Sequence, residues 1–205
     1  MKFESPERPS EAELAAKSMV QIWAEAVVRQ AARARTIRKK DDTDFRNHER
    51  GEDWSDALKD ELGPNWRTRW AEEHTLVWSA HQLEQWTIRL ANIRGEDPPA
   101  VNENLKNVRD ALEHLNEVDL TETTASAPSP QRKKDPRGRS LREHFPNETL
   151  VLGLGGQTLF HFLDPEALDK SAVEILRKVR EDLDVERLRQ EEAEVSAYVD
   201  MLMER

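Results

Sequence analysis

A mainly α fold, a helical bundle with one small β-hairpin before its last helix, is what three features of this 205-residue chain predict. Long segments carry apolar residues at the 3.6-residue helical period, and Pro or Gly breaks separate them. One region alone reads as strand, TLVLGLGGQTLFHFL at 149–163, two short apolar runs about a Gly-Gly turn. No internal repeat accompanies them, so the elements belong to one core rather than to a stacked array.

In chain order, 1–9 reads as a tail and 10–120 as the helical bundle. Ser10 with Glu13 three residues on is a capping box that opens a helix to about Arg38, in which Leu14, Met19, Ile22, Trp23, Ala26 and Val27 recur at helical spacing. DDTDFRNHERGED, 41–53, lacks an apolar period and reads as a connection. Trp54, Leu58 and Leu62 predict a short helix stopped by Gly63-Pro64, before a long one from Asn65 to Ile93. In that helix Trp66, Trp70, Leu76, Val77, Ala80, Leu83, Thr87, Ile88 and Leu90 fill a wide arc, which fits packing on more than one neighbour. His74 and His81, two turns and about 10 Å of rise apart, are too distant for one metal ion and read as core or boundary histidines.

Glu96-Asp97-Pro98-Pro99 breaks the chain before a helix over Ala100–Val118. The stretch 121–147 is rich in Ser, Thr, Pro and basic residues and nearly without apolar ones, so it predicts a flexible linker. Residues 148–205 then supply the hairpin and a C-terminal helix that complete the same domain, with Asp164-Pro165 as its N-cap and first-turn proline and Val173, Leu176, Val179 and Leu183 as its stripe. The glycines at 153–156 form neither GxGxxG nor the Walker pattern, and no βαβ unit surrounds them, which argues against a nucleotide loop.

Composition narrows the chemistry. With zero cysteines, disulfides, cysteine-ligated metals and cysteine nucleophiles are excluded, and no cofactor is expected. No run of about 18 apolar residues occurs, and MKFESPERPSEAE lacks the basic-then-apolar layout of a secretion signal, so the expectation is a cytoplasmic protein without membrane contact. The formal net charge of −10 opposes nucleic acid overall, yet two stretches are basic: 29–40 has six basic residues and no acid, and 132–142 has six against Asp135. Arg33, Arg38, Lys39, Lys133 and Lys134 are therefore the candidate RNA contacts, against the plainer reading of a solvated helix end and a charged loop.

NVRDALEHLNE, 107–117, holds the candidate chemistry. On a helical wheel Leu105, Val108, Leu112 and Leu115 form one stripe, and His114 falls nearly opposite, with Asp110 one turn before it and Arg109 bordering the stripe. Core packing does not account for His114. A plain ion pair of Arg109 with Glu113 and an ordinary surface histidine are the alternative.

Arg109-Asp110-Ala111-Leu112-Glu113-His114 resembles the R-(N/D/H)-x-x-x-H signature of the HEPN superfamily, helical-bundle proteins of bacterial toxin-antitoxin and phage-defence systems. The resemblance is specific over about 105–117, and the order of elements over about 10–185 is similar to such proteins. It implies a HEPN-like bundle and a metal-independent endoribonuclease that uses the RNA 2′-hydroxyl as nucleophile. His114 would move the proton. Arg109 would stabilise the developing phosphorane charge. Asp110 would orient the imidazole. It further implies a homodimer through the motif helix, across a two-fold axis, and a partner antitoxin. At i, i+5 Arg109 and His114 lie about 140° apart on an ideal helix, so Arg109 must reach round or a second copy must contribute. Some toxins of the family carry a regulatory tyrosine two residues after the histidine; here that position is Asn116, and the single tyrosine is Tyr198. A second R-x-x-x-x-H, Arg69 to His74, follows its arginine with Trp70 on the hydrophobic helix and is set aside. Two other functions remain open: a HEPN-type module that binds RNA, nucleotide or protein without catalysis, and a helical homodimeric interaction protein.

Overall fold

A computed structural model of the chain describes residues 9–50, 56–121, 123–131, 135–152 and 158–203. Three long helices dominate it: α1 Glu11–Arg50, α2 Asp56–Arg94 and α5 Pro165–Met203. Between α2 and α5 lie the short helices α3 Glu103–Glu113 and α4 Arg139–His144 and the strands β1 Asp119–Leu120, β2 Thr124–Ser126 and β3 Thr149–Val151. The mainly α class and the small antiparallel β element are as the sequence predicts. No helix of the described residues is long and apolar enough to cross a membrane.

The capping box at the start of α1 forms, with the Glu13 N–H donating to Ser10 Oγ at 3.1 Å. The buried face of α1 is Ala16, Val20, Ala24, Val27, Ala31 and Ala34, whereas Leu14 and Ile22 are exposed. The larger side chains suggest a different face, because an alanine stripe is a weak hydrophobic signal even though it lets two helix backbones approach closely. Leu76, Val77, Ala80, Leu83 and Leu90 of α2 are buried in the same core, while Trp66 is exposed. Both α2 and α5 run antiparallel to α1, as cross-links at each end show: near the start of α1, Arg94 Nε donates to Glu13 at 2.9 Å and Lys17 Nζ to Glu186 at 2.6 Å, and further along it Arg69 donates to Asp41 at 2.8 Å and Arg35 to Asp169 at 2.5 Å.

Two expectations for 38–64 are corrected. The acidic stretch after Arg38 continues α1 to Arg50, and α2 begins at Asp56 and runs through Pro64 as one helix. Partners on the neighbouring helix replace the missing apolar period. Buried Arg69 of α2 donates to Asp41 at 2.8 Å, to Asp42 at 3.3 Å and to Glu73 at 3.0 Å, and Arg38 pairs with Glu73 at 2.7 Å. Pro64 removes one intrahelical hydrogen bond, but the adjacent Asn65 accepts from Lys40 Nζ at 2.9 Å and donates to Asp44 at 2.8 Å, which ties that turn to α1. Trp54 lies outside the described residues.

The 121–147 stretch, expected as a linker, contains β2 and α4. The sheet has order β1-β2-β3, so β3 pairs back with β2, Ala125 facing Leu150, rather than forward with 158–163. Leu159 and Leu163 form a separate bridge, and the Gly-Gly turn lies outside the described residues. Composition misleads here because polar groups organise the segment. Asp135 accepts from the backbone N–H groups of Gln131 and Arg137 and from the Arg137 guanidinium, and that guanidinium holds its carboxyl well below the usual carboxylate range. Arg142 donates to the carbonyls of Pro128 and Asp135, each at 3.1 Å, and to that of Arg137. Gly138, at φ +63°, precedes α4 where a Cβ would meet Pro128 Cδ at 2.8 Å, so a glycine is needed. Leu141 and Phe145 seal the segment to the core, Phe145 edge-on to Phe162 at 4.9 Å between ring centres. The α5 start is as expected: Asp164 Oδ1 accepts the N–H groups of Glu166 and Ala167.

Candidate functional site

The motif helix α3 is shorter than its periodicity suggests, and that shortening shapes the site. Asn102 is its N-cap, its Oδ1 accepting from Leu105 N at 3.1 Å, and the Asn102 N–H donates to Glu84 of α2 at 2.6 Å. Leu105, Val108, Ala111 and Leu112 are buried, so the stripe faces the bundle as the wheel predicts. At the other end the helix stops at Glu113: His114 is the C-cap, with φ −106° and ψ 19°, and Leu115–Glu117 turns as a short 3-10 segment. His114, placed by the last helical residues, keeps its wheel position about 140° round from Arg109, and the chain turns away only after it. Arg109, Asp110 and His114 all line one cleft of about 610 Å³, whose other wall is 136–144 with Arg137, Arg139, Ser140, Glu143 and His144.

Within the cleft the motif side chains are partnered differently from the expectation. Asp110 pairs with Arg109 at 3.0 Å rather than with the histidine, and Glu113 takes the other side of the same guanidinium. The His114 ring is oriented by Glu117, whose Oε1 lies 3.2 Å from Nδ1. A proton on Nδ1 donated to that carboxylate leaves Nε2 with its lone pair available. His114 is well exposed, its side chain 56% accessible. Arg139 is exposed and, among the described residues, makes no ion pair, so it brings an uncommitted cation to the cleft.

Of the other expected contacts, Arg33 and Lys39 are exposed on α1 and do not line this cleft, and Lys133 and Lys134 lie outside the described residues. Arg38 pairs with buried Glu73 at 2.7 Å in the α1–α2 interface and does not line this cleft. The set-aside Arg69 is likewise a buried ion-pair residue. Sequence reasoning missed His144 and Arg139, because both sit in the stretch whose composition reads as a linker. The spacing of Leu141 and Phe145, four apart after Gly138, was the available signal for a helical turn there.

Behind α3 stand the two α2 histidines. His81 is buried and, among the described residues, has no hydrogen-bond partner at Nδ1, and His74 is half-buried edge-on to Trp70 at 5.0 Å. Burial pushes both imidazoles below their ordinary value; Arg109 lowers His81 further, Asp110 and Glu113 oppose that, and Glu113 opposes the shift of His74. Each group binds fewer protons folded than unfolded. Stability is thus complete above the ordinary value of 6.5 and is lost as pH falls from there toward the lowered values. Urea midpoints are expected to drop between pH 7.5 and pH 5, and less steeply for His81→Gln; a midpoint that holds steady over that range contradicts this.

A second cavity of about 580 Å³ lies on the seam of α1, α2 and α5, walled by Val27, Leu83, Leu90, Ile175 and Val179 with Glu84 at its side. Burial pushes the Glu84 carboxyl up, against the opposing hydrogen bond from Asn102 N–H. Among the described residues no group of three or more His, Cys, Asp or Glu side chains is arranged to hold a metal ion. Compared with protein-family models, curated proteins and solved structures, the chain matches none.

Proposed function

We propose that this chain is a HEPN-type endoribonuclease that cleaves RNA without a metal ion and serves as a toxin or phage-defence effector. The observation that carries the reading is that Arg109 and His114 line one cleft, beside the point where α3 ends. His114, its Nδ1 engaged with Glu117, takes the proton of an RNA 2′-hydroxyl at Nε2. The 2′-oxygen then bonds to the adjacent phosphorus, the bond from phosphorus to the 5′-oxygen breaks, and the products end in a 2′,3′-cyclic phosphate and a 5′-hydroxyl. Cationic groups facing the equatorial oxygens stabilise the charge that develops in that transition state, and a guanidinium does so through paired hydrogen bonds. Arg109 reaches them by exchanging Asp110 or Glu113 for phosphate. As in the proteins it resembles, two copies pair their motif helices across a two-fold axis, and an antitoxin protein restrains the activity.

The requirement for a 2′-nucleophile gives the test. Purified protein is expected to cut a labelled RNA and to leave the fully 2′-O-methylated strand of the same sequence whole. Cleavage of the methylated strand at a comparable rate would overturn the reading.

One observation favours a second reading, a HEPN-type module that binds RNA, nucleotide or protein without cutting. Arg109 is already neutralised by two carboxylates of its own helix, and Glu117 and Glu143 add negative charge to the cleft. Under this reading wild-type protein leaves RNA uncut, and the Arg109→Ala, His114→Ala double variant keeps wild-type binding.

A further inference from the structure

Strand cleavage by a 2′-hydroxyl needs two proton transfers, one from the nucleophile and one to the 5′-oxygen, because an unprotonated alkoxide is a poor leaving group. His114 supplies one exchangeable nitrogen to the cleft, since its Nδ1 is held by Glu117. In an in-line displacement the attacking and departing oxygens are on opposite sides of phosphorus, so the acid must stand across the cleft from His114, whereas Asp110 and Glu113 belong to the motif helix that His114 ends. Of the side chains lining the cleft, the other imidazole, a group that can carry and give up a proton, is that of His144 at the end of α4.

We infer that His144 is the general acid of this site, protonating the departing 5′-oxygen while His114 acts as the base. The inference rests on the ribonuclease reading above and goes beyond the motif that suggested it, because His144 lies thirty residues further on, in the opposite wall. Three observations support it. The wall is built rather than incidental: Leu141 is buried, Ser140 Oγ donates to the Asn107 carbonyl of the motif helix at 3.5 Å, and Arg142 is anchored on backbone carbonyls. The ring is accessible, 40% exposed, and its nearest charged neighbour, Glu143, stands 3.8 Å from Nε2, beyond hydrogen-bond distance. Arg139, free of ion pairs among the described residues, opens the same helix α4 that His144 ends and lines the cleft, which gives the scissile phosphate a cation on that wall.

In atoms, the 2′-hydroxyl proton passes to His114 Nε2 as the bond from O2′ to phosphorus forms, and a proton from the protonated His144 passes to O5′ as the bond from phosphorus to O5′ breaks. The imidazoles finish with exchanged protonation states, which solvent restores.

The leaving group separates this role from a structural one. 4-Nitrophenolate departs without protonation, so a general acid matters for RNA and hardly for nucleoside 3′-(4-nitrophenyl phosphates). His144→Ala is expected to lower kcat/KM on RNA by about 100-fold or more and to change the aryl esters by only a few-fold, whereas His114→Ala lowers both. His144→Asn, which keeps a polar side chain at the helix end, is expected to behave as His144→Ala does. Equal losses on both substrates, or RNA cleavage by both His144 variants within a few-fold of wild type, would overturn the inference. If the wild type cuts RNA and His114→Ala does not, that second result removes His144 alone; if the wild type cuts no RNA, the ribonuclease reading falls and the His144 role with it.

Discussion

His114→Ala is expected to slow RNA cleavage by about 10²- to 10⁴-fold, the usual contribution of a positioned proton-transfer group. That range corresponds to about 3 to 5 kcal/mol of transition-state stabilisation. The loss should fall on kcat and leave KM nearly unchanged, since the imidazole acts on the reacting proton rather than on the bulk of the bound strand. Stability is a clean control. His114 is an exposed cap residue whose one ion pair, with Glu117, is of the surface kind that contributes little. The variant should therefore unfold within about 0.5 kcal/mol of wild type, so lost cleavage cannot be charged to lost fold. Single-turnover kinetics beside a urea melt checks both halves, and a variant that retains wild-type turnover removes His114 from the mechanism.

Glu73→Ala is expected to produce the largest loss of stability, about 3 to 5 kcal/mol. Glu73 is 1% exposed and accepts from Arg69 at 3.0 Å and Arg38 at 2.7 Å, and the Arg69 side chain is itself 3% exposed. Removing the carboxylate leaves a buried guanidinium with Asp41 and the more exposed Asp42 as its remaining partners. An uncompensated buried charge is the costly outcome, whereas the intact pair need contribute little against an apolar substitute. The expected urea transition shifts to lower concentration with an unchanged slope. A change below about 1 kcal/mol would mean that Asp41 and Asp42 together satisfy Arg69 without Glu73. The two predictions separate cleanly, because the ion cluster binds α1 to α2 and none of its members lines the cleft of His114.

Local rules made much of this architecture legible. Ser10 and Asp164 cap the helices they were expected to cap, and the stripe of Leu105, Val108 and Leu112 faces inward. What stayed hidden depends on partners distant in sequence. The second half of α1 has no apolar period, and its carboxylates find Arg69 and Asn65 some twenty to thirty residues away, across a helix pair that one-dimensional periodicity does not represent. The same holds for 121–147, where hydrogen bonds of Asp135 and Arg142 do the organising that apolar residues usually do. The candidate site was half legible for this reason. Arg109, Asp110 and His114 stand in one short motif, but the end of α3 at Glu113, the Glu117 contact and the opposing wall with His144 are products of tertiary structure.

In the proposed function the α3 cleft cuts RNA through its 2′-hydroxyl, with His114 moving the proton. The chemistry of the cut ends tests it most directly: labelled RNA incubated in EDTA with wild-type protein and with His114→Ala, followed by analysis of both termini. The wild type is expected to give 2′,3′-cyclic phosphate and 5′-hydroxyl ends and the variant almost none. Ends bearing 3′-hydroxyl and 5′-phosphate, or cyclic-phosphate ends made equally fast by the variant, would contradict it.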